Sequence, residues 1–207
     1  MSELMNALES HQRLKIRQRM EMAEFLGFET RNKYEICDDQ GTVIGFCAEQ
    51  GKGFLGLFFR SMLGHWRSFE VHVFNADRQA VLLCRHPFRF IFQRFEVYTR
   101  DGKFLGALQQ RFSVLWKRFD LEDASGSTVL KMSSPFWRLW TFPFFRGSVE
   151  VARISKRWGG LLKEAMTDSD QFDVEFLQNS IPKDLRPVIL CSAVFVDLQY
   201  FEKKANR

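Results

Sequence analysis

The sequence predicts a mainly β fold, a closed antiparallel barrel of about twelve short strands wrapped around a hydrophobic C-terminal helix. Three observations carry it. A triplet of apolar, acidic and apolar residues recurs along the chain, and each copy opens an alternating stretch of the kind a half-buried strand shows. Most copies are followed by tight polar turn chemistry. The one sustained apolar run is Pro187 to Phe201, near the C-terminus. Closure removes the exposed edges of so many strands, and a single apolar helix can fill the interior. A β-sandwich with the helix on one face is the competing arrangement.

In chain order, residues 1–12 read as a short N-terminal tail and 13–203 as the barrel domain, with its helix at about 185–201. Leu14, Ile16, Met20 and Met22 alternate with Lys15, Arg17, Arg19 and Glu21, which suggests a first strand. The triplets Tyr34-Glu35-Ile36, Phe69-Glu70-Val71, Phe95-Glu96-Val97, Phe119-Asp120-Leu121 and Val149-Glu150-Val151 begin later ones. Polar turns follow at Asp38 to Gly41, Asn75 to Arg78, Arg100 to Lys103 and Asp123 to Gly126, leading into returning strands such as Val43 to Cys47 and Phe104 to Leu108. In an up-and-down meander the connections then alternate strictly between a polar pole and an aromatic pole. On this count Lys156 to Gly160 is a polar turn, Leu161 to Met166 a strand, and Thr167 to Asp170 an acidic loop back at the aromatic pole.

The aromatic connections are the unusual feature, in a chain with 23 phenylalanines among 207 residues. They are Phe25 to Phe28, Gly53 to Phe59, Pro87 to Phe92 and Pro135 to Phe145. Connections run over a domain's surface, so apolar ones must be covered by something, and a bilayer surface is the natural cover. The expected membrane-binding residues are Phe54, Leu57, Phe58, Phe59, Phe88, Phe90, Phe92, Phe136, Trp137, Trp140, Phe142, Phe144 and Phe145, with about half of these aromatics expected to fill or cap the barrel instead. Arginines threaded among them, Arg60, Arg89, Arg94, Arg138 and Arg146 with Arg67 and Arg85, are expected to meet lipid headgroup phosphates. Thirty Lys and Arg against twenty-five Asp and Glu, a net charge of +5, favour an acidic partner surface without choosing between lipid and nucleic acid.

Other classes are disfavoured. His11, His65, His72 and His86 have no metal-ligand spacing, and there is neither a nucleophile elbow nor a phosphate-gripping glycine loop, so no enzyme is expected. The run Pro187 to Phe201 is shorter than the roughly 20 residues of a spanning helix and contains Asp197. A buried core helix is the leading reading, with a short membrane anchor as the alternative. Cys37, Cys47, Cys84 and Cys191 have no CxxC pairing, and Met1 to Arg13 lacks the apolar core of a signal peptide, which points to reduced thiols in the cytosol.

The segment Ala152 to Phe176, reading Ala-Arg-Ile-Ser-Lys-Arg-Trp-Gly-Gly-Leu-Leu-Lys-Glu-Ala-Met-Thr-Asp-Ser-Asp-Gln-Phe-Asp-Val-Glu-Phe, closely resembles the signature of the phospholipid scramblase family. Gly27 to Ile36 resembles an earlier segment of the same family, and the similarity runs from about Arg19 to Lys203. The resemblance implies the tubby-like barrel around a C-terminal helix. It also implies calcium-responsive, bidirectional movement of phospholipids between leaflets, at the cytoplasmic face of the plasma or inner membrane. The family's acidic calcium segment carries over to Asp168, Asp170 and Phe172 and ends at Asn179, where the family usually has aspartate; Asp173 and Glu175 are candidates to restore the acidity. The bland alternative is an acidic turn followed by a solvated strand face. The family's cysteine clusters, sites of palmitoylation, are replaced here by Phe, Trp and Leu, and aromatic anchors in place of acyl chains follow as the expectation. The partners are then membrane phospholipids, acidic ones first, and copies of the chain itself if transport needs assembly; nucleic acid is the least favoured. A peripheral lipid-binding module without transport remains the rival function.

Overall fold

The computed structural model describes residues 3–19, 30–50, 68–138, 140–157 and 171–201. After a short helix α1 (Glu3–Ser10) come β1 (Arg13–Arg19), β2 (Thr30–Cys37), β3 (Val43–Gln50), β4 (Phe69–Asn75), β5 (Ala80–His86) and β6 (Arg94–Thr99). The chain continues through β7 (Phe104–Gln110), β8 (Trp116–Asp123), β9 (Thr128–Pro135), β10 (Thr141–Arg146), β11 (Val149–Arg157) and β12 (Gln171–Phe176), and ends in α2 (Leu185–Tyr200). Each strand pairs with its sequence neighbours, and β1 pairs antiparallel with β12 to close the barrel. The sandwich alternative is thereby excluded, and an unbroken meander makes the two-pole arrangement a consequence of topology.

Inward positions follow the period of two: Leu14 and Ile16 on β1, Phe119 and Leu121 on β8, Phe172 and Val174 on β12 are all buried. Through the middle runs α2, buried from Leu185 to Leu198 on every side. A helix apolar all round has no solvent face to offer, and here the barrel wall surrounds it. Its eight buried Leu, Ile, Val and Phe side chains, at about 1.5–3 kcal/mol each, make release into water unfavourable by about 12–24 kcal/mol. Gly106 on β7 lets the helix come close, since a Cβ there would lie 2.4 Å from the Glu122 carbonyl oxygen and 3.3 Å from Val188 Cγ2.

Two expectations need correction. Residues 3–10 of the predicted tail form α1, whose Leu4 and Leu8 are 0% and 1% exposed and close the polar end of the barrel. Gly45 makes room for that plug: a Cβ there would sit 3.3 Å from both Leu4 Cδ atoms. The buried Arg186 guanidinium ties helix to plug by donating to the carbonyls of Leu8 (2.8 Å), Glu9 (3.1 Å) and His11 (3.2 Å), neutralising the C-terminal end of α1. Secondly, Pro135 to Phe145 is not one loop. Residues 141–146 form β10, and the turn at Gly147 to Ser148 lies at the polar pole. Consequently β11 runs through the predicted polar turn as far as Arg157, toward the aromatic pole. The strand expected at Leu161 to Met166 lies outside the described residues. The two shifts compensate, because the ends that flank residues 158–170, Arg157 and Gln171, face each other at the aromatic pole.

The barrel's outer wall is charged: Glu70, Arg85, Glu96, Asp120, Lys131 and Arg153 are half-buried or exposed on β4, β5, β6, β8, β9 and β11. A spanning barrel needs the reverse, an apolar band outward, since each charge on the lipid side costs about 2–4 kcal/mol at the midplane. The charged wall of this barrel does not have that apolar band.

Candidate membrane-binding pole

Among the described residues twelve large apolar side chains are exposed, and ten of them lie on or beside three connections at one end of the barrel. The β5–β6 connection presents Phe88 (42%), Phe90 (65%), Ile91 (68%) and Phe92 (43%). The β7–β8 connection presents Phe112 (76%), Val114 (73%) and Leu115 (60%), with Trp116 beside it. The β9–β10 connection presents Phe136 (45%) and Trp137 (70%). Val149 and Leu177, the remaining two, are at the opposite end.

Polar groups beneath the surface hold these side chains outward. The Gln93 amide N–H donates to Gln110 Oε1 at 2.9 Å, the Gln110 N–H donates to the Gln93 carbonyl at 2.8 Å, and Gln93 Nε2 reaches the Arg89 carbonyl at 3.2 Å. Pinned this way, Phe92 adopts φ 45°, a left-handed conformation that a bulky side chain takes only under constraint. The second and third connections are joined to each other, with the Phe136 N–H donating to the Leu115 carbonyl at 3.2 Å and the Trp116 and Trp137 rings 6.0 Å apart. Apolar side chains are thus displayed to solvent by a bonded scaffold.

Of the residues expected to bind membrane, Phe88, Phe90, Phe92, Phe136 and Trp137 are at this surface, whereas Phe54, Leu57, Phe58, Phe59, Arg60 and Arg67 lie outside the described residues. Phe142 and Phe144 are corrected: both are 0% exposed and face the barrel interior from β10. Phe145 is half-buried one step from the polar pole, and Trp140 is half-buried with its ring stacked on Phe201 at 5.3 Å. Phe112, Val114 and Leu115 were not expected. Their signal was present, since Phe112 to Trp116 is an apolar link between two recognisable strands and alternation places it at the aromatic pole.

The arginines divide similarly. Arg89 and Arg138 are exposed among the aromatics. Arg85 pairs with Glu70 at 3.3 Å. Arg94 is held between Glu96 at 2.8 Å and Glu122 at 2.7 Å with its side chain 17% exposed, so its charge is already matched. Arg146 is at the wrong end, donating to the Ser180 carbonyl at 3.1 Å beside the polar turn.

Among the described residues the expected calcium ligands do not converge. Asp168 and Asp170 lie outside the described residues. Asp173 and Glu175 share the outer side of β12, as the strand period requires, but Asp173 is ion-paired to Arg157 and Glu175 to Arg13. Asn179 is beyond the other end of β12, its Oδ1 accepting from Gln12 Nε2 at 2.6 Å. Asp173, Glu175 and Asn179 therefore do not form a cage among themselves. Among the described residues no group of three or more His, Cys, Asp and Glu is arranged to hold a metal.

Near the aromatic pole the barrel interior carries ionisable side chains. Tyr34 Oη donates to Asp197 Oδ2 on α2 at 2.8 Å, and Lys156 Nζ is 4.0 Å from Asp197 Oδ1. Lys156 Nζ also lies 4.1 Å from the centre of the Phe201 ring, while Lys117 Nζ lies over Phe142 (4.8 Å) and Tyr200 (5.1 Å). Burial pushes the Tyr200 hydroxyl pKa far up, so it stays protonated. Burial likewise raises the thiols of Cys47 and Cys84, which keeps them unreactive. Among the described residues no helix is long and apolar enough to cross a membrane.

The chain is similar to known proteins along nearly its whole length. The scramblase family model matches residues 1–203. Human phospholipid scramblase 1 is 28% identical over 93% of this chain, which spans 64% of that protein, and human phospholipid scramblase 2 is 27% identical over 91% of the chain and 67% of that protein. A crystallographically solved Arabidopsis thaliana protein superposes with a TM-score of 0.48 at 12% identity, covering 94% of this chain and 92% of that one. With a family match that extends over nearly its whole length, this chain belongs to the scramblase family.

Proposed function

We propose that this protein docks on a bilayer through the aromatic pole and moves phospholipids between the leaflets. The single observation that carries the docking is the gathering of ten of the twelve exposed large apolar side chains at one end of a barrel whose walls are charged. The family membership supports the transport. Inserted to the depth of its loops, the pole would place Arg89 and Arg138 at the level of acidic headgroups, on the cytoplasmic face of the plasma or inner membrane. Calcium responsiveness, carried by this chain, would rest on Asp168 and Asp170 with main-chain and water oxygens, and no step of the docking depends on it.

A second reading, a peripheral lipid-binding module without transport, is favoured by one observation. The 16-residue α2 is enclosed by the barrel and does not span the roughly 30 Å of hydrocarbon. Self-association or local thinning of the bilayer would then have to supply the path. Dithionite quenching of fluorescent phospholipid in sealed vesicles separates the two readings, run with calcium and with chelator, with Asp168→Ala/Asp170→Ala and a leakage control. Quenching beyond the outer-leaflet half supports transport, and its loss in the aspartate variant assigns the calcium response. A plateau at half with protein bound leaves the lipid-binding module.

A further inference from the structure

The wall of the barrel has one weak seam, and it opens at the membrane-facing end. Strand β9 pairs with β10 through only Met132–Phe144 and Lys131–Phe145, near the polar pole, whereas every other neighbouring pair in the barrel is matched through at least four residue pairs. Above Phe144 the ladder stops, because Pro143 has no N–H to donate. From there to the aromatic pole, among the described residues, the Ser134 hydroxyl bridges the strands by donating to the carbonyls of Thr141 (2.7 Å) and Arg138 (3.2 Å).

Directly behind this seam stand the two buried lysines. Lys117 is the register partner of Ser134 on one side, and the Lys156 N–H donates to the Trp140 carbonyl at 2.8 Å on the other. Both ammonium groups point inward, Lys117 over the rings of Phe142 and Tyr200 and Lys156 over Phe201, and Phe142 lies 6.0 Å from Tyr200 and 6.5 Å from Phe201. The cations thus converge on one aromatic cluster from both flanks of the seam. Long cationic side chains ordinarily extend to water, whereas these two are turned into the barrel at the same place, with Asp197 Oδ1 4.0 Å from Lys156 Nζ.

We propose that the β9–β10 seam is a lateral entrance through which the phosphate of an acidic phospholipid reaches Lys117 and Lys156, its acyl chains remaining among the exposed aromatics of the docked pole. Phosphate is the chemistry two ammonium groups would take. The lipid, and not free phosphate, is assigned as its source because the entrance is bordered by Phe136 and Trp137, 45% and 70% exposed. This inference rests on the docking proposed above.

The test uses soluble dihexanoyl phosphatidylserine below its micelle concentration, with glycerophosphoserine and inorganic phosphate as headgroup-only probes. Lys117→Met/Lys156→Met is expected to weaken short-chain lipid binding at least about tenfold, with Lys→Arg at both positions retaining it. A second variant, Ser133→Cys/Pro143→Cys, bridges the positions next to the Met132–Phe144 pair. Its oxidised form is expected to lose the lipid and its reduced form to regain it. Both variants should melt cooperatively and still sediment with acidic vesicles. Unchanged lipid affinity in the methionine variant or in the oxidised bridge would overturn the proposal, and so would inorganic phosphate competing as well as the lipid. Failure of the unaltered protein to bind vesicles would instead sink the docking reading while leaving the short-chain result to stand for itself.

Discussion

The two ends of the barrel are built from alternate connections of the same meander, five at the polar pole and six at the aromatic pole, yet they solve opposite problems. At the polar pole, short turns satisfy themselves. Ser125 Oγ donates to Asp123 Oδ1 at 2.6 Å, Thr99 Oγ1 donates to Asp101 Oδ1 at 2.5 Å, and the Thr42 N–H donates to Asp38 Oδ1 at 2.8 Å. Below them α1 seals the interior with Leu4 and Leu8. At the aromatic pole the hydrogen bonds are underneath and the apolar side chains are outside. Among the described residues, one end is sealed by the chain itself, whereas the other leaves large apolar side chains exposed.

The largest expected break in this comparison comes from removing the exposed apolar side chains. Phe112→Ser/Leu115→Ser/Trp137→Ser should weaken binding to acidic vesicles at least about a hundredfold, given roughly 1.5–3 kcal/mol per side chain fully buried. Because these residues are already exposed, the thermal midpoint should hardly move, and Val149→Ser/Leu177→Ser at the other end should leave vesicle binding intact. Cosedimentation beside a melting curve reads both.

Next in size is the plug. Leu8→Ala is expected to cost about 2–5 kcal/mol of stability by leaving a cavity under α1, measured by urea unfolding, with no effect on vesicle affinity per folded molecule. This reverses the pattern of the first variant.

Smaller again is the charge at the aromatic pole. Arg89→Glu/Arg138→Glu should weaken acidic-vesicle binding by about fivefold or more per residue at moderate ionic strength, from about 1 kcal/mol for each basic side chain near an anionic surface. The difference should fade in high salt.

The smallest effect is acid sensitivity at the polar pole. Hydrogen bonds from Ser125 and Thr99 hold the Asp123 and Asp101 carboxyls below the ordinary aspartate range. A lowered native pKa means the unfolded chain binds more protons, so this contribution is complete above the unfolded pKa of about 3.9 and is lost as pH falls through the native values. Asp101→Asn/Asp123→Asn should therefore flatten the acid limb of the stability profile, followed by circular dichroism, and leave neutral vesicle binding alone.

What the sequence disclosed follows from which interactions are local. Apolar–acidic–apolar triplets and their polar turns are contacts between near neighbours, so most strands and the polar pole were legible. The apolar run with Asp197 inside it marked α2 as a core element. Strand β10 was hidden because Pro143 and four Phe and Trp neighbours read as loop, although Phe142 and Phe144 point into the core. Helix α1 was hidden because its reason for folding, the open end of a barrel, is assembled from distant strands. The partners of Asp173 and Glu175 were hidden for the same cause: Glu175 meets Arg13 and Asp173 meets Arg157 only after β12 lies between β1 and β11. Charge balance across a sheet is not written in spacing.

The central claim is the orientation on a membrane, and a nitroxide label reads it most directly. Cys37, Cys47, Cys84 and Cys191 are all buried, so a label attaches at an introduced Val114→Cys or, at the opposite pole, Ser125→Cys. On acidic vesicles the account predicts that the label at position 114 collides with oxygen in the hydrocarbon and is shielded from a water-soluble nickel reagent, while the label at 125 remains fully accessible to nickel. Nickel access at both positions with protein bound, or a buried label at 125, would contradict it.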